Sequence, residues 1–263
     1  MPQKDQYFST SLEKGLNVLW LFDEQNRSLT QTQISQILGL NMTSTYRYVN
    51  TLVKLGYLEK DDKTKELRLG ARSLALGSKI TRSVDKLHMV KRLVDRVHDQ
   101  HNITIDVGFA IDESMVRVYH REAEETLIYR LPAVAKSAMH NTSVGKAYLS
   151  TLPAEDLKHL LDRMDLVSRT PHTIVDRETL LVEIEKVRAC GYSMSVEEYL
   201  TGLITIGAPL FSGSDGQGVG AVSFDFSTLE HDAATIEKKY TRLIVELARE
   251  LSEILQGNKP VVG

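Results

Sequence analysis

Ser44, Arg47, Thr51 and Lys54 recur at a spacing that gathers them on one side of a helix turning 100° per residue, small, polar and cationic. The chemistry open to such a face is recognition. An arginine can hydrogen-bond a guanine edge in the major groove, and a serine hydroxyl can meet a phosphate or a base. Further along, Lys63 and Lys65, with Arg68 five and three residues on, are placed to meet phosphates beside a groove. A second group lies near the middle of the chain. Asn141 or Thr142 can cap a helix starting at Ser143, which would leave the N–H groups of Ser143, Val144 and Gly145 facing an anion such as a carboxylate.

The first set needs two short helices and a hairpin to hold it. Between Thr30 and Leu58, Ile34, Ile37 and Leu38 form one apolar stripe, extended by Leu40. A turn at Gly39 to Met42 follows, and Thr45, Val49, Leu52 and Val53 form a second stripe. This predicts a helix-turn-helix. YLEKDDKTKELRLG then predicts a β wing turning at Asp61 to Thr64. Upstream, Ser11 to Phe22 places Leu12, Leu16, Leu19 and Trp20 on one face, predicting the third helix of a winged-helix core with Trp20 inside it. The expected DNA-contacting set is Thr43, Ser44, Thr45, Tyr46, Arg47, Asn50 and Lys54 on the second helix, with Lys63, Lys65 and Arg68 on the wing.

From Ala71 to His101 the helical periodicity carries a basic polar face. A break at Gly77 would divide a connecting helix from the first helix of a second domain. Beyond it, strands are expected at Ile105 to Ile111, Met115 to His120, Leu127 to Leu131, Tyr192 to Glu197, Leu203 to Phe211 and Val219 to Phe226. Helices are expected at Ser143 to Leu152, Ala154 to Met164, Arg177 to Ala189 and about Asp232 to Gln256. The fold class is mixed α+β. The expected domains are residues 9–70, a winged helix-turn-helix; 71–86, a linker helix; and 87–256, a sensor-like domain.

Hydrophobic content of 42% and charged content of 25% suit a globular protein. No apolar run reaches membrane-span length and MPQKDQYFST lacks a signal-peptide core, so a cytoplasmic location without membrane attachment is expected. The net charge of -3 hides an asymmetry: residues 1–100 hold 16 Lys+Arg against 11 Asp+Glu, whereas residues 101–263 hold 16 against 24. The first part is the one suited to a polyanion. Cys190, the single cysteine, excludes an internal disulfide and a cysteine-cluster metal site, and is expected to be a small buried side chain. SVGKA is not a phosphate loop, because His140 and Ala147 stand where that motif needs Gly and Ser or Thr. Adjacent Glu197 and Glu198 on a strand would point to opposite faces, so they read as strand-end charge. His120 and His140 lack zinc-ligand spacing, and neither a cofactor nor a metal is expected.

Three segments, TSTYRYVNTLVKLGYLEKDDKTKELRLG, HNTSVGKAYLSTLP and GYSMSVEEYLTGLITIGAPLF, resemble the IclR-type transcriptional regulators, in order and over nearly the whole chain. The resemblance implies a winged helix-turn-helix, a linker helix and a GAF-like effector-binding domain. It also implies self-association as a dimer or dimer of dimers on double-stranded promoter DNA, and control by a small metabolite, often an organic acid or aromatic compound. Where family members line the pocket, this chain has Ala138, Met139, Ser195, Thr205, Ser223 and Asp225, beside the Ser143, Val144 and Gly145 group. Ser195, Thr205 and Asp225 replace the acid, Cys and Ser frequent in relatives. Ser223 and Asp225, two apart on a strand, share a face, and an inward Asp225 would favour a hydrogen-bond-donating ligand end over a second carboxylate. The expected function is a ligand-responsive DNA-binding regulator, repressor or activator, and not an enzyme. A metabolite-binding protein whose winged helix contacts other proteins is the alternative.

Overall fold

A computed structural model describes residues 7–23, 26–83, 85–124, 136–212 and 216–257, and the chain divides into two compact units, one ending at Val84 and the other starting at Asp85. In the first unit the order is α1 (Thr10–Trp20), β1 (Leu29–Thr30), α2 (Gln31–Ile37), α3 (Met42–Lys54), β2 (Leu58–Lys60), β3 (Glu66–Leu69) and α4 (Ala71–Ser83). Helix α2 starts in a capping box, in which Thr30 accepts from the Gln33 N–H and the Gln33 side chain closes back on the Thr30 N–H. Gly39, at a φ of 61°, permits the left-handed turn between α2 and α3. The wing is a small antiparallel sheet in the order β1-β3-β2, and β1 is a strand the sequence pattern did not reveal.

Val18, Leu29, Ile34, Val49, Leu52, Leu58 and Leu67 form the core of this unit. Two expectations are corrected here. Ile37 is exposed, and α1 turns Val18 rather than Leu12, Leu16 and Trp20 into the core: those three are 63%, 55% and 54% exposed. Leu12 and Leu16 instead border an open groove with Tyr48, Leu55 and Leu76. The expected break at Gly77 is also absent, since α4 runs through it to Ser83.

The second unit begins with α5 (Asp85–His101) and continues with β4 (Thr104–Ile111), β5 (Ser114–Arg121), β6 (Lys136–Ala138), α6 (Ser143–Leu149), α7 (Ala154–Arg163), α8 (Arg177–Cys190), β7 (Ser193–Val196), β8 (Leu203–Ser212), β9 (Gln217–Ser227) and α9 (Ala233–Gln256). Among the described residues its six strands are antiparallel in the order β6-β5-β4-β9-β8-β7. One face packs Ile105, Val107, Ile204, Ile206, Val222 and Phe224 against α5 and α9. The other packs Met115 and Ala221 against α6, α7 and α8. Strand alternation therefore separates an apolar face from one that also carries Asp106, Thr205, Ser223 and Asp225. Helix α6 ends three residues earlier than expected, and the strand expected at Leu127 to Leu131 lies outside the described residues. Cys190 is exposed rather than buried, at the last position of α8. Among the described residues no helix is long and apolar enough to cross a membrane.

Candidate functional site

Helix α3 is capped by Asn41, whose side chain accepts the Ser44 N–H at 2.8 Å. Thr45, Val49 and Leu52 are buried, which turns the opposite side outward. Thr43, Tyr46, Arg47 and Lys54 are exposed, and Ser44 and Asn50 half-buried. At the wing tip the Asp61 carboxylate accepts the N–H groups of Lys63 (2.7 Å) and Thr64 (2.9 Å). These bonds, from Thr64 first and then Lys63, hold its pKa below the ordinary value. The turn leaves Lys63 and Lys65 exposed. Arg68, also exposed, lies 3.3 Å from Glu66.

In the second unit, strand register gathers two carboxyls at a partly open site. Asp106 on β4 stands opposite Ser223 on β9, and Asp225 stands between Thr104 and Thr205. A partly open cavity lies above them, bordered by Met115, Arg117, Thr142, Ser143, Val144, Tyr199 and Leu203 among others. One Asp106 oxygen accepts from Arg117 at 3.3 Å and lies 2.7 Å from His120 Nδ1. Ser223 donates to Asp225 at 3.2 Å. Asp225 also hydrogen-bonds Asp106, and its pKa is pushed well up, by burial first and then by the neighbouring Asp106 charge, with Ser223 and Arg117 opposing. Burial beside the Asp106 carboxyl therefore favours the protonated form of Asp225 to higher pH than an ordinary aspartate.

Helix α6 forms the opposite wall and is anchored from below. Thr142 is its N-cap, accepting the Gly145 N–H at 3.1 Å. A Cβ on Gly145 would lie 2.1 Å from the Met139 carbonyl oxygen, so only glycine allows this approach. Ser193 donates to the Ser143 carbonyl at 2.6 Å and Ser195 to that of Asn141 at 3.2 Å. Lys146, 1% exposed, donates to Glu198 at 2.7 Å and to Glu183 at 3.4 Å. The Glu198 carbonyl accepts from Thr173 at 2.6 Å. Through this ion pair α6 is tied to the loop that presents Tyr199 to the cavity.

Residues 11–62 match the IclR helix-turn-helix domain, and residues 78–253 match the C-terminal domain of bacterial IclR transcriptional regulators. The chain belongs to the IclR family. It is 29% identical over 260 residues to the Pca regulon regulatory protein of Pseudomonas putida, covering 96% of this chain and 86% of that one. An IclR regulator from Alicyclobacillus acidocaldarius shares the fold at a TM-score of 0.81 and 20% identity, over 94% of this chain and 99% of that one. So does an IclR homologue from Microbacterium hydrocarbonoxydans solved with 4-hydroxybenzoate, at a TM-score of 0.70 and 19% identity, over 94% and 98%. IclR proteins are ligand-responsive transcriptional regulators that couple a DNA-binding helix-turn-helix to an effector domain, and this chain has both parts.

Within this IclR framework the expected site residues divide. Thr45 leaves the DNA-contacting set: it is fully buried and its hydroxyl donates to the Asn41 carbonyl at 3.1 Å. The other nine lie on the outward side of α3 or on the wing. Of the expected effector residues, Ser143, Val144, Thr205, Ser223 and Asp225 border the cavity. Ala138, Met139, Gly145 and Ser195 do not border it. Met139 is fully buried in the core beneath α6, Ala138 sits on an edge strand, Ser195 is engaged with Asn141, and the Gly145 N–H is taken by its cap. Glu198 is not strand-end surface charge but the buried partner of Lys146. Glu197, at a φ of 56°, turns back so that its carboxylate accepts the Gly202 N–H. Asp106, Arg117 and Tyr199 were missed. Asp106 had a signal, a polar residue in the alternation of its strand, whereas Arg117 and Tyr199 are brought in by register and by a loop.

Proposed function

We propose that the protein self-associates and sets two α3 helices into successive major grooves of a two-fold symmetric promoter site, about 34 Å apart. A small organic metabolite in the acidic cavity then changes its hold on that site. The observation that carries the reading is the outward face of α3, where Arg47 and Lys54 stand exposed beside a buried stripe that fixes their direction. Self-association is supported by Leu12, Leu16, Leu74 and Leu76, all exposed on α1 and α4 and more apolar than a solvent-facing surface needs. The effector presents a hydrogen-bond-donating end to Asp225 and an anionic part to the Ser143 and Val144 N–H groups, a reading supported by the 4-hydroxybenzoate bound to the Microbacterium homologue. Control requires the effector to bind the DNA-competent and DNA-incompetent states with different affinity.

Between Leu58 and Leu69 the wing holds four acidic and four basic residues, so its attraction for phosphate comes from placement rather than net charge. Lys63→Ala should weaken binding about equally across DNA sequences and lower the slope of log affinity against log salt by about one phosphate contact. Fluorescence anisotropy over a salt series measures this. A protein-contact role for the winged helix would show no salt-dependent DNA affinity in either form.

A further inference from the structure

The acidic cavity carries more information than a preference for donors. Asp106 and Asp225 come from adjacent antiparallel strands, face the same side of the sheet and both border the cavity. Like charges side by side on a sheet destabilise it. Arg117 and His120, both on β5, reach the pair from one side and meet it at one Asp106 oxygen. Asp106, Asp225, Thr205 and Ser223 border the cavity together with Arg117, which donates to Asp106, and Ser223 donates to Asp225. Met115, Val144 and Leu203 supply apolar wall around this polar end.

On the reading of this cavity as the effector site, we infer that the effector is a small amino acid whose ammonium group sits against Asp106 and Asp225, its hydrocarbon part against Met115, Val144 and Leu203. An ammonium offers three N–H donors, enough to serve both carboxyls and a neighbouring hydroxyl, whereas a ligand hydroxyl offers one. Its positive charge offsets the burial and the Asp106 repulsion that raise the Asp225 pKa. Wherever Asp225 is protonated, binding is then an exchange: its carboxylic acid becomes a carboxylate facing the ammonium, and the proton passes to solvent. The charged and titratable groups around Asp225 are Asp106 and Arg117, which border the cavity, His120, which reaches Asp106, and His101, Glu230 and His231 around a second hollow that Asp225 also borders.

The test titrates the full-length protein with benzylamine, benzyl alcohol and benzoate, which share a ring and differ in the group offered. Benzylamine should bind roughly tenfold or more tightly than either of the others. Below the Asp225 pKa, calorimetry in buffers of different ionisation enthalpy should count up to about one proton released per amine, and amine affinity should rise by up to about tenfold per pH unit. Asp225→Asn and Asp225→Ser, each checked for a cooperative thermal transition, should erase the amine preference and the proton release. Benzyl alcohol or benzoate binding as tightly as benzylamine would overturn the ammonium assignment and leave the cavity as the effector site. Failure of all three to bind would overturn both readings.

Discussion

Replacing Lys146 with Met should cost about 3–5 kcal/mol of stability, the penalty for stranding a buried charge without its partner. Lys146 is 1% exposed, and Glu198 approaches it at 2.7 Å with its own carboxyl largely buried. Burial, its largest influence, already raises the Glu198 pKa above the ordinary 4.5, while Lys146 opposes that rise. Without Lys146 the folded pKa climbs further and the folded chain holds the proton more tightly than the unfolded one. The variant should therefore be least stable above the raised folded pKa and recover as pH falls through it towards 4.5. Urea unfolding at several pH values measures this. The double variant Lys146→Met/Glu198→Leu, which removes both charges, should regain most of the loss. If the single variant were as stable as the parent at neutral pH, the ion pair would not be what fastens the Tyr199 loop to α6.

Arg47→Ala should lower affinity for the cognate promoter site by roughly 1–3 kcal/mol, a loss of about 5- to 150-fold, and relax the preference at one base pair of each half-site. The size follows from a bidentate contact between a guanidinium and a guanine edge. Arg47 is exposed on the side of α3 away from Thr45, Val49 and Leu52, so the substitution leaves the core of the unit untouched and the melting temperature unchanged. Gel shifts against the parent site and single-base variants separate the two effects. An Arg47→Ala protein that binds every variant as the parent does would remove Arg47 from base reading.

The helix-turn-helix was legible because one stripe of α3 is apolar and the other polar, which fixes its direction before any tertiary contact is known. Helix α1 was harder to read. It has apolar residues on two sides, and periodicity does not say that Val18 faces the core while Leu12, Leu16 and Trp20 face outward. In the effector domain, the pairing of Ser223 with Asp225 was legible as two residues on one strand face. Their meeting with Asp106 required the β4–β9 register, which joins strands from opposite ends of the domain. Lys146 was read only as a failed phosphate-loop lysine, because its partner Glu198 comes from a distant loop and nothing local signals the pairing. Thr45 was placed both in the buried stripe and among the DNA contacts, and the structure keeps only the first role.

The central claim, that the first unit grips duplex DNA through α3 and the wing, is tested most directly by footprinting the purified full-length protein across its own chromosome at low ionic strength, with and without small metabolites. The account predicts discrete protected sites made of two related half-sites one helical turn apart, with protection that weakens as salt rises. Uniform occupancy with no preferred site under any of these conditions, from protein shown to be folded, would contradict it.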